Sequence, residues 1–153
     1  PEVVRIAEVP RPVPRAHEIL VQVTAAAVTS GDARIRAGRF PPGFGLLARI
    51  AFGLTGPRRP VLGSAFAGVV AAVGARAGAL APGDRVCGMM GMALGAHAEF
   101  LTIDVARVAR IPPGVSDDAA AGVLFGGTAA LHFLHDKAHV GLGATVLING
   151  ASG

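Results

Sequence analysis

Hydrophobic and polar positions change period several times along this chain, and each change predicts an element. Val3 to Val9 is a short alternating segment, closed by Pro10, Pro12 and Pro14, whose spacing predicts an extended, polyproline-like connector. From Glu18 to Thr29, Ile19, Val21 and Val23 alternate with Glu18, Leu20, Gln22 and Thr24, the pattern of a strand. The alternation gives way to Ala25-Ala26-Ala27-Val28, which predicts entry into a region covered on both sides. Ser30 or Asp32 then suits the cap of a short helix, Ala33 to Ala37, ended by Gly38.

Phe40 to Pro60 is irregular, with an apolar patch that includes Phe44, Leu46, Leu47, Ile50, Phe52 and Leu54 between Pro/Gly clusters. Two readings stay open: a binding loop or lid, or a flap that only covers core. Strand character returns over Val61–Val73, where Gly63, Gly68 and Gly74 predict bulges or close backbone approach. Pro82-Gly83-Asp84 turns the chain into a strand over Arg85–Met90. Further strands are predicted over Ala96–Ile103 and Ala106–Ile111, closed by Pro112-Pro113-Gly114. Many short strands with Gly/Pro turns predict a mainly β fold, a small and partly open β-barrel, over residues 1–114.

The pattern changes after Gly114. Ser116 is a good N-cap, and Asp117 and Asp118 suit a helix N-terminus. A short helical piece, Ala119–Gly122, and a longer helix after Gly126-Gly127-Thr128 are predicted. A turn over His139–Gly143 leads to a buried strand from Ala144 through Val146, Leu147 and Ile148, which runs into Gly150-Ala151-Ser152-Gly153. Strand then glycine loop is how a dinucleotide-binding βα unit opens, because small residues let backbone N–H groups approach a pyrophosphate. Residues 115–153 therefore read as the start of a second, α/β domain, incomplete here, and both ends read as cut from something longer.

Composition narrows the functions. The chain has 153 residues, 52% of them hydrophobic and 16% charged, enough to bury a core. No apolar run is long enough for a membrane span, and no signal peptide is visible. Thirteen of the 14 basic residues are Arg, but they are dispersed, with only Arg58 and Arg59 adjacent. With no Trp or Tyr and seven Phe, nothing resembles a nucleic-acid surface. Cys87 is the single cysteine, so an internal disulfide or multi-cysteine zinc site is excluded and the cytoplasm is the expected compartment.

Val28-Thr29-Ser30-Gly31-Asp32, Leu62 to Val70, Pro82 to Val86, Gly95-Ala96-His97-Ala98-Glu99-Phe100, Gly126 to Leu131 and Val146 to Gly153 follow one another in the order seen in the medium-chain dehydrogenase/reductase superfamily. The chain resembles the zinc-independent quinone oxidoreductase-like branch, often labelled NAD(P)-dependent alcohol dehydrogenase. The resemblance implies a GroES-like catalytic domain followed by the first helix and strand of a Rossmann domain. Zinc-dependent relatives place a Cys at Thr29, a His-Glu pair after Gly63 and a ligand four residues before Thr128. This chain has Thr29, Ser64 with Ala65, and Leu124, which are poor zinc ligands.

The resemblance further implies hydride transfer from NADPH, with NADH as the less favoured alternative, to a small-molecule carbonyl, enone or quinone, without zinc. Thr29 is the candidate to hold the substrate oxygen or the nicotinamide ribose; its hydroxyl satisfied by nearby backbone is the alternative. Thr128 matches a threonine near the nicotinamide, with a helix N-cap as the alternative. Asp32 resembles a residue that supports its neighbours at the site; a helix cap or a surface acid are the alternatives. Gly150, Ala151, Ser152 and Gly153 are the expected phosphate loop.

Other residues read plainly. Cys87 is expected in core, His132 and His135 on a partly solvated helix face, and His97 packed beside the cleft where relatives often carry an aromatic. Met89, Met90 and Met92, with Phe40, Phe44 and Phe52, either line a substrate pocket or pack loops. Without a Tyr, solvent is the simplest proton source. The full-length protein is expected to be an enzyme, with a homodimer through the Rossmann sheet, and these residues alone to be inactive. A GroES-like interaction domain that does no chemistry is the competing reading.

Overall fold

A computed structural model describes residues 4–38, 43 and 60–149. Five antiparallel strands form one sheet: β1 (Glu18–Ala26), β2 (Ala65–Val73), β3 (Arg85–Met89), β4 (Phe100–Asp104) and β5 (Val108–Arg110), in the order β4-β1-β2-β3-β5. The sheet is open, in keeping with the predicted mainly β, partly open GroES-like barrel. Helix α1 (Ser30–Ala37) follows β1. Helix α2 (Asp117–Leu131) follows the barrel and continues into a π-helical turn, His132–Lys137.

The core follows from strand alternation. Ile19 and Val21 on β1, Phe66 and Val70 on β2, Val86 on β3, and Leu101 and Ile103 on β4 point to one face and pack with Met90 and Ala96. Phe66, Ile19, Val21, Val70 and Val86 are fully buried. Each contributes about 1.5–3 kcal/mol of apolar transfer. The opposite face carries Ala67, which packs with Ile111 and with Ala120 and Ala121 of α2, joined by Ala25, Cys87 and Val115. Ala25 lies on this second face although it shares parity with Val23. The register between β1 and β2 slips between Val23 and Ala25, and that irregularity turns the strand over.

Gly68 shows why a glycine sits mid-strand. A side chain there would collide with the Gln22 carbonyl oxygen and with Val21 of the paired strand. The expected close backbone approach is therefore present at this position.

Several sequence expectations are corrected. Residues 4–9, whose alternation carried no assigned element, have no regular secondary structure and are exposed. The connector after them is anchored by Arg11, whose guanidinium lies 3.8 Å from the centre of the Phe100 ring. The run Ala25–Val28 is not covered on both sides: Ala26 faces outward and Val28 is 80% exposed. Residues 96–99 are not strand, and 105–107 form a 3-10 turn ahead of a shorter β5. The two helices predicted around Gly126-Gly127 are one continuous α2, because a well-capped start with no proline lets the helix propagate through glycine, which weakens but does not stop it.

The expected strand from Ala144 to Ile148 has no regular secondary structure and no strand partner among the described residues, with Leu147 93% exposed. A strand that is apolar on both faces needs parallel neighbours, and the described residues supply none. The Phe40–Phe52 patch and the loop Gly150–Gly153 lie outside the described residues.

Candidate functional site

The site is built where β1 ends. Ala27 leaves the strand, and Thr29, with extended backbone, becomes the N-cap of α1. The cap expected at Ser30 or Asp32 is thus one residue earlier, and Asp32 is its reciprocal partner at the third helical position. The Thr29 hydroxyl accepts from the Asp32 N–H at 3.2 Å and donates to Asp32 Oδ2 at 2.7 Å. The Thr29 N–H donates to the same carboxylate oxygen at 2.8 Å. This is a capping box with aspartate in the acidic place, and it satisfies donors that a helix start otherwise leaves free.

Asp32 is no surface acid. It is 4% exposed and the buried charged residue of the described core. Its second oxygen reaches across the fold and accepts the Gly63 N–H at 3.3 Å. Gly63 has φ of +95°, and a Cβ there would stand 2.5 Å from His97 Cδ2. Only glycine meets both demands. The Gly63 turn in turn holds the segment carrying His97: the His97 N–H donates to the Leu62 carbonyl at 2.9 Å and the Ala96 N–H to the Gly63 carbonyl at 3.1 Å. His97 Nε2 lies 3.1 Å from the Ala27 carbonyl oxygen.

These contacts close a circuit: Thr29 to Asp32, Asp32 to Gly63, Gly63 to His97, and His97 back to Ala27. Leu94 sits beside it, buried, with φ of 53° and ψ of −170°, a backbone region costly for a side-chain-bearing residue. A cleft of about 190 Å³ opens against the circuit, lined by Val4, Val28, Asp32, Ala33, Arg36, Leu62 and His97.

The structure brings Thr29 and Asp32 together. Thr128 lies elsewhere, inside α2, where its exposed hydroxyl donates to the Leu124 carbonyl, with the Phe125 carbonyl 3.4 Å away. The N-cap alternative for Thr128 is therefore corrected: Ser116 caps this helix, accepting the Ala119 N–H at 3.2 Å. Gly150, Ala151, Ser152 and Gly153 lie outside the described residues.

Sequence reasoning placed His97 beside the cleft but missed its tie to Ala27, and it missed Gly63 as Asp32's partner. The three-residue spacing of Thr29 and Asp32 was the available signal for the capping box. Nothing in the sequence announced the contact across 31 residues between Asp32 and Gly63.

Cys87 packs against the second core face, and burial raises its thiol above the ordinary value. His132 and His135 are exposed, and both approach Asp136 through Nδ1, at 3.3 and 2.8 Å. No group of three or more His, Cys, Asp or Glu among the described residues is arranged to hold a metal ion. No helix among them is long and apolar enough to cross a membrane. Met90 is core, whereas Met92 is exposed.

Comparison with known proteins places these features in a wider set. The alcohol dehydrogenase GroES-like domain family matches residues 15–113. The chain is 38% identical over 140 residues to a mycocerosic acid synthase-like polyketide synthase of Mycobacterium tuberculosis, covering 92% of this chain and 6% of that one. It is 30% identical over 158 residues to a quinone oxidoreductase of Pongo abelii, covering 100% of this chain and 43% of that one. Among solved structures, Escherichia coli quinone oxidoreductase complexed with NADPH superposes with a TM-score of 0.70 at 29% identity, over 87% of this chain and 36% of that one. The chain thus spans less than half the length of these relatives.

Proposed function

The chain belongs to the alcohol dehydrogenase GroES-like domain family of the medium-chain dehydrogenases/reductases, and from that membership we propose that the protein carrying it is a zinc-independent, NADPH-dependent reductase of enones or quinones. The observation that carries the proposal is the state of Thr29. Where zinc-dependent members place a thiolate, this chain has a hydroxyl engaged in the cap of α1. Ser64 with Ala65, and Leu124 inside α2, complete a set with no thiolate, imidazole or carboxylate at the positions that would bind zinc. Such a set does not fit Zn²⁺.

NADPH, when bound, supplies the hydride; the protein's part is to hold, orient and keep water away. We assign its phosphates to Gly150, Ala151, Ser152 and Gly153, and its nicotinamide end to Thr29 and Thr128. A hydroxyl has one hydrogen and two lone pairs. Thr29 gives its hydrogen to Asp32 and one lone pair to the Asp32 N–H. What it offers a ligand is the second lone pair, suited to a ribose hydroxyl and not to a developing oxyanion. Asp32 does not touch substrate in this reading. It is a positioning residue that fixes Thr29 and the Gly63 turn. We place the domain boundary at Gly114, with residues 1–114 the catalytic domain and 115–153 opening the cofactor domain; the family match ending at 113 supports this.

The test is NADPH consumption by the whole protein with benzoquinone and with cyclohexenone as acceptors. The likeness to a polyketide synthase puts a thioester-borne enone in the same panel. Acceptor-dependent consumption, faster with NADPH than NADH, is expected. No consumption with any acceptor would leave the domain as a GroES-like interaction module without chemistry.

A further inference from the structure

Helix α2 is held by the sheet at one end only. Ala120 and Ala121 are its buried residues, and past them only Leu124 and Gly127 are even half-buried. The buried pair packs with Ala67 and Ile111, joined by Ala25, Cys87 and Val115. Alanine against alanine lets helix and sheet approach closely. Side chains this short form shallow ridges, however, and interlock too weakly to resist a pivot of the helix.

Directional contacts supply what the packing lacks. In the first turn of α2, Asp117 accepts from the Thr24 hydroxyl of β1 at 2.6 Å and from Arg85 Nε of β3 at 3.1 Å. The Arg85 terminal nitrogen also donates to Asp117 and, at 2.7 Å, to the Val115 carbonyl. Thr24 lies 3.3 Å from the Ala67 carbonyl as well, but its one hydrogen serves the shorter contact. Strands β1 and β3 flank β2, so the carboxylate is gripped from both sides of the strand that carries Ala67. A single contact would act as a swivel; two on separate strands fix a direction.

Thr128 lies further along the same helix, about three turns and roughly 16 Å from Asp117. A pivot of about 5° at Asp117 would carry Thr128 roughly 1.4 Å. Misplacement by about 1 Å at a reacting centre costs on the order of 10²-fold in rate. Resting on the reductase reading above, in which Thr29 of the barrel and Thr128 of α2 hold the nicotinamide end, we infer that Asp117 is a positioning residue for hydride transfer. With Thr24 and Arg85 it fixes the pivot of α2 and so the place of the reduced nicotinamide relative to an acceptor held by the barrel. It touches neither cofactor nor substrate. Its loss slows the hydride step without weakening NADPH binding, because the phosphate loop assigned above is left intact.

The experiment compares the whole wild-type protein with Asp117→Ala, Thr24→Val and Arg110→Ala. Arg110 is the control: it forms a similar cluster inside the barrel, donating to Asp84 at 3.1 Å and to the Ala79 carbonyl at 2.6 Å, with no hydrogen bond to α2 among the described residues. Enzyme preloaded with NADPH is mixed rapidly with saturating cyclohexenone, and the decay of NADPH absorbance gives the hydride-transfer rate. NADPH affinity is measured by fluorescence titration, and both are read below the melting range of every variant. Asp117→Ala is expected to lose about 10–100-fold in hydride-transfer rate. Thr24→Val, which keeps the Arg85 half of the grip, loses less, Arg110→Ala keeps the wild-type rate, and NADPH affinity is unchanged in all three. A wild-type rate in Asp117→Ala, equal losses in Asp117→Ala and Arg110→Ala, or a loss carried by NADPH affinity alone would overturn the assignment. Should Asp117→Ala not fold, a wild-type rate in Thr24→Val overturns it equally. If the wild type reduces no acceptor, the reductase reading fails and the inference with it, whereas an active wild type with a fully active Asp117→Ala defeats the positioning role alone.

Discussion

At the scale of single residues, Asp32 decides the shape of the site. Three donors converge on one buried carboxylate, two from Thr29 and one from Gly63. Asp32→Asn turns an acceptor oxygen into an NH₂ that faces donors. It should cost about 1–3 kcal/mol of stability, the usual penalty for buried polar groups left without partners. Chemical denaturation checks the magnitude, and faster hydrogen exchange at the Gly63 and His97 amides should accompany it. Equal stability and exchange would mean the circuit does not hold the site. Gly68→Ala is expected to be at least as costly, because the new methyl would enter the Gln22 carbonyl and backbone must move. The capping box was half visible in the sequence: Thr29 and Asp32 stand at the right spacing, but Ser30 is an equally good cap by type, and only the backbone at Thr29 separates them. The third donor to Asp32 comes from a turn 31 residues away. No local pattern encodes that distance.

At the scale of elements, α2 is fastened to the sheet by Asp117. Thr24 donates to one carboxylate oxygen at 2.6 Å, and Arg85 donates to the other through Nε at 3.1 Å and through its terminal nitrogen. The same terminal nitrogen reaches the Val115 carbonyl at 2.7 Å. The Thr24 hydroxyl first, and then Arg85, hold the Asp117 carboxyl below its ordinary value. A carboxyl lowered by folding stabilises the fold above its unfolded pKa, and the contribution is lost as pH falls through the folded one. Asp117→Asn should therefore cost about 1–2 kcal/mol at neutral pH. The gap to wild type should close as pH drops below about 4, which melting curves across pH would show; a gap that stays constant in acid would refute the linkage.

Helix α2 also carries glycine where nothing crowds it. A methyl at Gly126 would meet nothing within 4 Å. Gly126→Ala should then raise stability by about 0.5–1 kcal/mol, seen as a higher melting temperature of the 153-residue chain. Strand existence was legible throughout the barrel because one face is core and the period is two. Strand ends were not, since the 3-10 turn at Val105–Arg107 and the loop before Phe100 have the composition of strand. The break predicted at Gly126-Gly127 failed because glycine lowers helix propensity without removing a hydrogen bond, and cap and propagation outweighed it.

At the scale of the whole molecule, two kinds of surface stand side by side. The sheet strands bury a core around Phe66, whereas Val123, Phe125, Leu131, Phe133, Leu142, Leu147 and Ile148 are all more than half exposed, as are Ile6, Val13 and Val28 outside the strands. Apolar surface of this extent is aggregation-prone when left uncovered. The isolated 153-residue chain should therefore self-associate, giving a light-scattering mass that rises with concentration; a constant monomer mass would count against this. The domain class was legible because ordered motifs report a fold even when each alone is weak. The state of the last strand was not, because no strand pairs with it among the described residues.

The proposed nicotinamide-dependent reduction without zinc is tested most directly by the cyclohexenone-dependent rate of NADPH consumption by the whole protein before and after exhaustive chelation. An unchanged rate is predicted, because Thr29, Ser64 and Leu124 offer zinc no ligand set. A rate abolished by chelation and restored by Zn²⁺ would contradict it.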